Sequence, residues 1–119
     1  MPKRILICDD DSDILSICQF ILGEIGLEVH TRTECNHIIS VVDEVRPDVI
    51  LMDNWIPDTG GIIATRILKQ HPEFKKIPVI YFSANTDIKL LATEAGADSY
   101  LAKPFDISDL EKAIASARV

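Results

Sequence analysis

Arg4-Ile5-Leu6-Ile7-Cys8-Asp9-Asp10-Asp11 is the stretch on which the fold turns: four apolar residues in an unbroken run, then three acids. A strand wet on one face alternates apolar with polar, whereas a strand buried on both faces, as in a parallel sheet, does not. The same form returns at Val49 to Met52 before Asp53, at Val79 to Phe82 before Ser83-Ala84, and at Tyr100 to Ala102 before Lys103-Pro104. Glu28 to Arg32 is more polar and suits an edge strand.

Segments of helical period separate these runs. Ile14, Leu15, Cys18, Leu22 and Ile25 follow Ser12 or Asp11 as a cap, with Gly26 placed to end the helix. Ile38, Val42 and Val45 follow Thr33 as their cap, and Pro47 stops them. Ile63, Ile67 and Leu68 form a stripe after Gly60-Gly61, and Leu90, Leu91 and Ala95 form a thinner one that closes on Gly96. Ile107, Leu110, Ala113, Ile114 and Ala117 follow Asp106. Five strands, each followed by a helix, predict an α/β fold: a parallel sheet covered on both faces, with right-handed crossovers, in one domain spanning 1–119. Ligands of such sheets sit at the carboxyl ends of the strands.

Composition excludes several classes. With 47% apolar and 26% charged residues the chain has the makeup of a folded globular domain. A net charge of −7, with Lys75-Lys76 as its closest approach to a basic cluster, argues against a nucleic-acid surface. No run approaches the roughly 18 to 20 apolar residues of a membrane span. Met1-Pro2-Lys3-Arg4 leads directly into the first strand, too short for a signal peptide, so a cytoplasmic location is expected. Cys8, Cys18 and Cys35, odd in number and without metal-ligand spacing, read as core fillers. His30, His37 and His71 read as surface or capping residues.

The strand ends are where chemistry collects. Asp9, Asp10, Asp53, Ser83 and Lys103 converge on one rim if the sheet is as drawn. Three carboxylates and one ammonium leave that rim at −2, and crowded carboxylates raise one another's pKa until a cation neutralises them. All-oxygen donors suit Mg2+ and offer zinc no soft ligand. Asp11 is better read as a helix cap. A carboxylate can also be a nucleophile towards phosphorus, forming an acyl phosphate. Such a transfer needs cations around the phosphoryl oxygens, supplied here by Mg2+ and Lys103, with Ser83 as a further donor.

Along essentially its whole length the chain resembles the receiver domain of bacterial two-component response regulators, most like the single-domain, chemotaxis-regulator type. The resemblance rests on Arg4-Ile-Leu-Ile-Cys-Asp-Asp-Asp11, Arg46-Pro-Asp-Val-Ile-Leu-Met-Asp53, Ile77-Pro-Val-Ile-Tyr-Phe-Ser-Ala84 and Ala95-Gly-Ala-Asp-Ser-Tyr-Leu-Ala-Lys-Pro-Phe-Asp106. It implies a flavodoxin-like doubly wound sheet in strand order 2-1-3-4-5, flanked by five helices. It implies Asp53 as phosphoacceptor, charged by a histidine kinase or phosphotransfer protein. Asp9, Asp10 and Asp53 would hold Mg2+ with the backbone carbonyl of Trp55, and Ser83 and Lys103 would bind phosphoryl oxygens. The Lys103–Pro104 peptide would be cis, and Ser83 and Tyr100 would form the switch. Trp55 and Asn85 stand where the family tunes phosphoryl lifetime, and the stretch after Asp53 lacks the family's usual Met at position 59 and Asp at position 60. Replacing Trp55 or Asn85 with Ala is therefore expected to change the rate of phosphate loss; unchanged half-lives would remove both assignments.

Other classes fit less well. A haloacid-dehalogenase-type phosphatase needs a second Asp two residues after its nucleophile, where this chain has Trp55. A flavin-binding protein of this fold wants a Gly-, Ser- or Thr-rich loop after the first strand, not three acids. A degenerate receiver, binding partners without phosphorylation, would not need all five site residues. The expectation is a switch rather than a turnover enzyme, its only chemistry being phosphorylation of Asp53 and its reversal. With the chain ending at Val119, output is expected through a partner on the face of the fourth helix, fifth strand and fifth helix. The protein would be a monomer or a weak phosphorylation-dependent dimer, with no direct membrane contact.

Overall fold

Each apolar run becomes a strand and each periodic segment a helix in the computed structural model, which describes residues 3–53, 60–83, 87–103 and 106–117. The order is β1 (Arg4–Cys8), α1 (Ser12–Glu24), β2 (Glu28–Arg32), α2 (Ile38–Val45), β3 (Val49–Asp53), α3 (Gly61–Gln70), β4 (Val79–Ser83), α4 (Ile88–Ala95), β5 (Ser99–Ala102) and α5 (Ile107–Ala117). All neighbouring strands are parallel, in the expected order β2-β1-β3-β4-β5. The sheet is doubly wound, and the order reverses between β1 and β3, so the residues that end those two strands flank the crevice.

The strand pleat divides the core into two layers. Leu6, Cys8, Ile50, Met52, Val79 and Tyr81 face α2, α3 and α4. Ile5, Ile7, Val49, Leu51, Ile80 and Phe82 face α1 and α5 with Leu15, Cys18, Leu22, Leu110 and Ile114. Both edges carry weaker strands. β2 and β5 are the edges that the expected order implies, and the exposure of Tyr100 and Ala102 corrects the expectation that the β5 run is buried on both faces.

Local signals explain most element ends. Asp11 caps α1, its side chain accepting from the Asp13 and Ile14 N–H groups. Gly26 then takes φ +91, a left-handed turn open to glycine. Thr33 does not cap α2, which begins five residues later behind His37, without a side-chain cap bond. Between them Cys35 is buried, and its thiol donates to the Gly60 carbonyl at 3.5 Å. The connection is thus drawn into the core before the helix starts.

The stripe expected on α3 is also corrected. Ile63 and Ile67 are exposed, and the buried face is Gly61, Ala64, Thr65 and Leu68. Small residues let the helix lie close to the sheet, which hydropathy spacing does not register. On α4, Leu90 is exposed, while Ile88, Ala92 and Ala95 face the core. Lys69 then fastens α3 to the sheet. Its Nζ pairs with Asp98 and donates to the Ile77 carbonyl, and Asp98 accepts from the Val79 N–H at the start of β4.

Thr65 has a fully buried hydroxyl with no hydrogen-bond partner among the described residues. A buried unpaired polar group costs about 1–3 kcal/mol, so Thr65→Val, which keeps the branched shape, is expected to stabilise the protein by roughly 1 kcal/mol. Urea unfolding reads this as a higher midpoint at unchanged slope.

Candidate functional site

The three acids that end β1 do three different jobs. Asp11 caps α1. Asp9 is fully buried; its Oδ1 accepts from the Asp11 N–H at 2.9 Å, and its Oδ2 accepts from Lys103 Nζ at 2.9 Å. Asp10 is exposed, and its carboxylate borders the same crevice. The Asp9 N–H donates to the Arg32 carbonyl at 3.1 Å, which carries the β1–β2 ladder one residue past the strands and fixes where Asp9 points.

Across the crevice Asp53 ends β3, only 4% exposed, and its Oδ1 accepts from Lys103 Nζ at 3.1 Å. Lys103 follows β5, and its N–H donates to the Ser83 carbonyl at 2.9 Å. That bond ties the ends of β4 and β5 together and sends the lysine stem over the crevice. Ser83 is buried at the end of β4, one residue beyond the Asp53–Phe82 pairing. The chain thus brings together residues 50 and 94 positions apart in sequence.

The electrostatics are unbalanced. Burial first, then the charge of Asp9, pushes the Asp53 carboxyl from its ordinary 3.8 up to about 6, although Lys103 pulls it back. Burial works against the Lys103 charge, but its hydrogen bonds to Asp9 and Asp53 outweigh this and hold its pKa above the usual lysine value. One ammonium therefore serves two buried carboxylates, with Asp10 at the rim. Oxygens of Asp9, Asp10 and Asp53 all lie within 4.8 Å of one another. Around Mg2+, with ligands at 2.0–2.1 Å, two oxygens stand at most about 4.2 Å apart. Adjacent ligands stand only about 3 Å apart, so the three side chains must draw in by up to about 2 Å to share one ion. The donor set and its excess charge fit Mg2+.

Other expected positions fall in different places. Tyr100 is 46% exposed on β5, paired in register with Tyr81, so it stands on the outer surface of the edge strand. Trp55, Asn85 and Pro104 lie outside the described residues. The cysteines are free and buried; burial pushes the thiols of Cys18 and Cys35 up to about 11 and that of Cys8 higher still, so all three are unreactive core residues. His30 hydrogen-bonds Glu28, and His71 Nδ1 accepts from the Glu73 and Phe74 N–H groups, as surface and capping histidines do. Phe82, read from sequence only as part of a strand, lies with its ring 4.6 Å from Lys103 Nζ.

No helix among the described residues is long and apolar enough to cross a membrane. In comparison with known proteins, the DNA-binding response regulator MtrA of Mycobacterium tuberculosis is 31% identical over 112 residues, which are 92% of this chain and 48% of that one. The chain spans about half the length of the curated relatives it matches. A response regulator from Chloroflexus aurantiacus superposes with a TM-score of 0.93 at 27% identity, covering 99% of this chain and 98% of the other. The receiver domain of a sensor histidine kinase from Pseudomonas aeruginosa, solved with a magnesium ion coordinated in its active-site cleft, superposes at 0.90 with 26% identity over 99% of this chain. Residues 5–115 match the response regulator receiver domain family. That match takes in both acidic strand ends and the lysine that joins them, and the chain belongs to this family of two-component signalling domains.

Proposed function

We propose that the domain is a phosphoryl-accepting switch, with Asp53 as acceptor and Asp9, Asp10 and Asp53 as the carboxylates that hold Mg2+. The observation that carries this is the buried Asp53 carboxylate, sharing one lysine with Asp9 inside a cluster of excess negative charge. Such a carboxylate is ionised at neutral pH, walled from bulk water, and surrounded by groups that absorb charge on a transferring phosphoryl group.

In the transfer, one Asp53 oxygen forms a bond to phosphorus as the bond from phosphorus to the donor breaks. The donor, a phosphohistidine of a kinase or phosphotransfer protein or a small acyl phosphate, leaves with the electron pair. No oxidant or proton relay is required, so positioning and charge supply the catalysis. Asp9, Asp10 and Asp53 would hold Mg2+, which would neutralise charge on the phosphoryl oxygens. Lys103 pairs with another of those oxygens as its bond to Asp53 is given up, and Ser83 donates its hydroxyl from the neighbouring strand end. The further ligand expected from the family resemblance, the Trp55 carbonyl, lies outside the described residues. The domain modifies itself and has no turnover substrate.

Output runs through the face of α4, β5 and α5 to a downstream protein. Supporting this, Leu90, Tyr100 and Ile107 are large exposed side chains, one on each element. Tyr100 couples that face to Ser83, since Ser83 pairs with Ala102 two residues along the same strand. The test is incubation with a small acyl phosphate, with and without Mg2+, on wild type and Asp53→Asn. A labile, Mg2+-dependent adduct on wild type alone is expected; its absence would leave the domain as a phosphorylation-independent binding module.

A further inference from the structure

An ammonium group has three N–H donors, and at Lys103 two of them are assigned: one to Asp9 Oδ2 at 2.9 Å and one to Asp53 Oδ1 at 3.1 Å. Nζ also stands over the ring of Phe82, 4.6 Å from its centroid. The Lys103 side chain is 17% exposed, so water has little access to it. Phe82 is fully buried on the sheet face that packs against α1 and α5, and it is the β4 partner of both Asp53 and Leu101. Its position is therefore set by the two strands that deliver Asp53 and Lys103.

We infer that Phe82 is a positioning residue for phosphoryl transfer, its ring face forming the third seat of the Lys103 ammonium beside Asp9 and Asp53. This deepens the proposed function and rests on it. The bland alternative is that Phe82 only fills the core, which any large apolar side chain could do. The geometry separates the two. A core filler need only touch the lysine stem, whereas here the charge itself stands over the ring within cation–π range. A negative ring face in a dry site attracts a cation, and it does so without accepting a proton or competing for metal.

The consequence lies in the transfer step. When an Asp53 oxygen bonds to phosphorus, Lys103 loses one carboxylate partner. Held only by Asp9 it would be drawn to the far wall of the crevice. Held also by the ring, it stays above Asp53, where the phosphoryl oxygens arrive. Loss of the ring's attraction is thus felt in the rate of phosphorylation, and only through Lys103.

Graded fluorination of the ring tests this, because fluorine withdraws the negative face while scarcely changing ring size. Phe82 is replaced by 4-fluoro- and 3,5-difluorophenylalanine in the full chain, with Phe82→Leu as the end point. Adduct formation from a small acyl phosphate is timed at saturating Mg2+, at a temperature where every variant is folded. A stepwise slowing is expected, reaching about three- to tenfold for Phe82→Leu, and none of it is expected in a Lys103→Met background. A purely structural role would lower thermal midpoints without a rate that tracks fluorine content, and that outcome would overturn the inference.

A second arm needs no phosphate. The ε-methylene protons of Lys103 should be displaced upfield by the ring current and return towards ordinary lysine values in Phe82→Leu. An ordinary shift in wild type would overturn the inference. A displaced shift in a protein that forms no adduct would support the seat and remove the phosphoacceptor reading instead.

Discussion

Lys103→Met is expected to cost the metal-free protein about 3 to 5 kcal/mol of stability at pH 8, because it leaves buried Asp9 and Asp53 without their shared cation. It is also expected to slow phosphoryl transfer to Asp53 by roughly 10²- to 10³-fold, the usual loss when one preorganised charge-stabilising group is removed. The two effects have different remedies. Lowering the pH protonates Asp53, relieving the repulsion, so the stability deficit should shrink at pH 5.5. Mg2+ should restore stability at pH 8, yet leave the transfer slow. Chemical denaturation at both pH values, with and without Mg2+, separates these effects. An equal deficit at both pH values would show that Lys103 acts through packing alone.

Asp53→Asn should have the opposite sign. The folded carboxyl titrates at about 6 against an ordinary 3.8, so the folded state binds this proton more tightly than the unfolded one. A raised carboxylate pKa means that stability is fullest below the unfolded value and is lost as the pH rises through the folded value. Wild type should therefore lose about 2–3 kcal/mol between pH 4 and pH 7 that Asp53→Asn keeps. At neutral pH without metal the variant should melt roughly 5–10 °C higher. Saturating Mg2+ should erode that advantage, since wild type gains binding energy that the variant largely lacks. The same titration implies that Mg2+ affinity falls about tenfold per pH unit below pH 6 as the proton competes for Asp53. Thermal melts across pH 4 to 8 check the first point and fluorescence titration of Trp55, the single tryptophan, checks the second.

Much of this was legible in the chain. The apolar runs fell within a residue of the strands, because a buried parallel strand writes its boundaries in hydropathy. The acidic rim was legible too, because a doubly wound sheet forces the ends of β1 and β3 side by side. What stayed hidden has physical reasons. Thr33 looked like a cap, but tertiary burial of Cys35 delayed the helix. Ile63 and Ile67 looked like core, but α3 buries Gly61, Ala64 and Thr65, whose small side chains give close approach and little hydrophobic signal. Phe82 looked like any strand aromatic. That it lies under the ammonium depends on where the Lys103 stem runs after β5, which no sequence spacing records.

The most direct measurement identifies the residue that carries the phosphoryl group. After incubation with a small acyl phosphate and Mg2+, borohydride reduces an aspartyl phosphate to homoserine, and peptide mass spectrometry locates it. Homoserine at position 53, dependent on Mg2+ and lost in Asp53→Asn, is the expected result. Homoserine at position 9 or 10, or none in a folded protein that binds Mg2+, would contradict Asp53 as the acceptor.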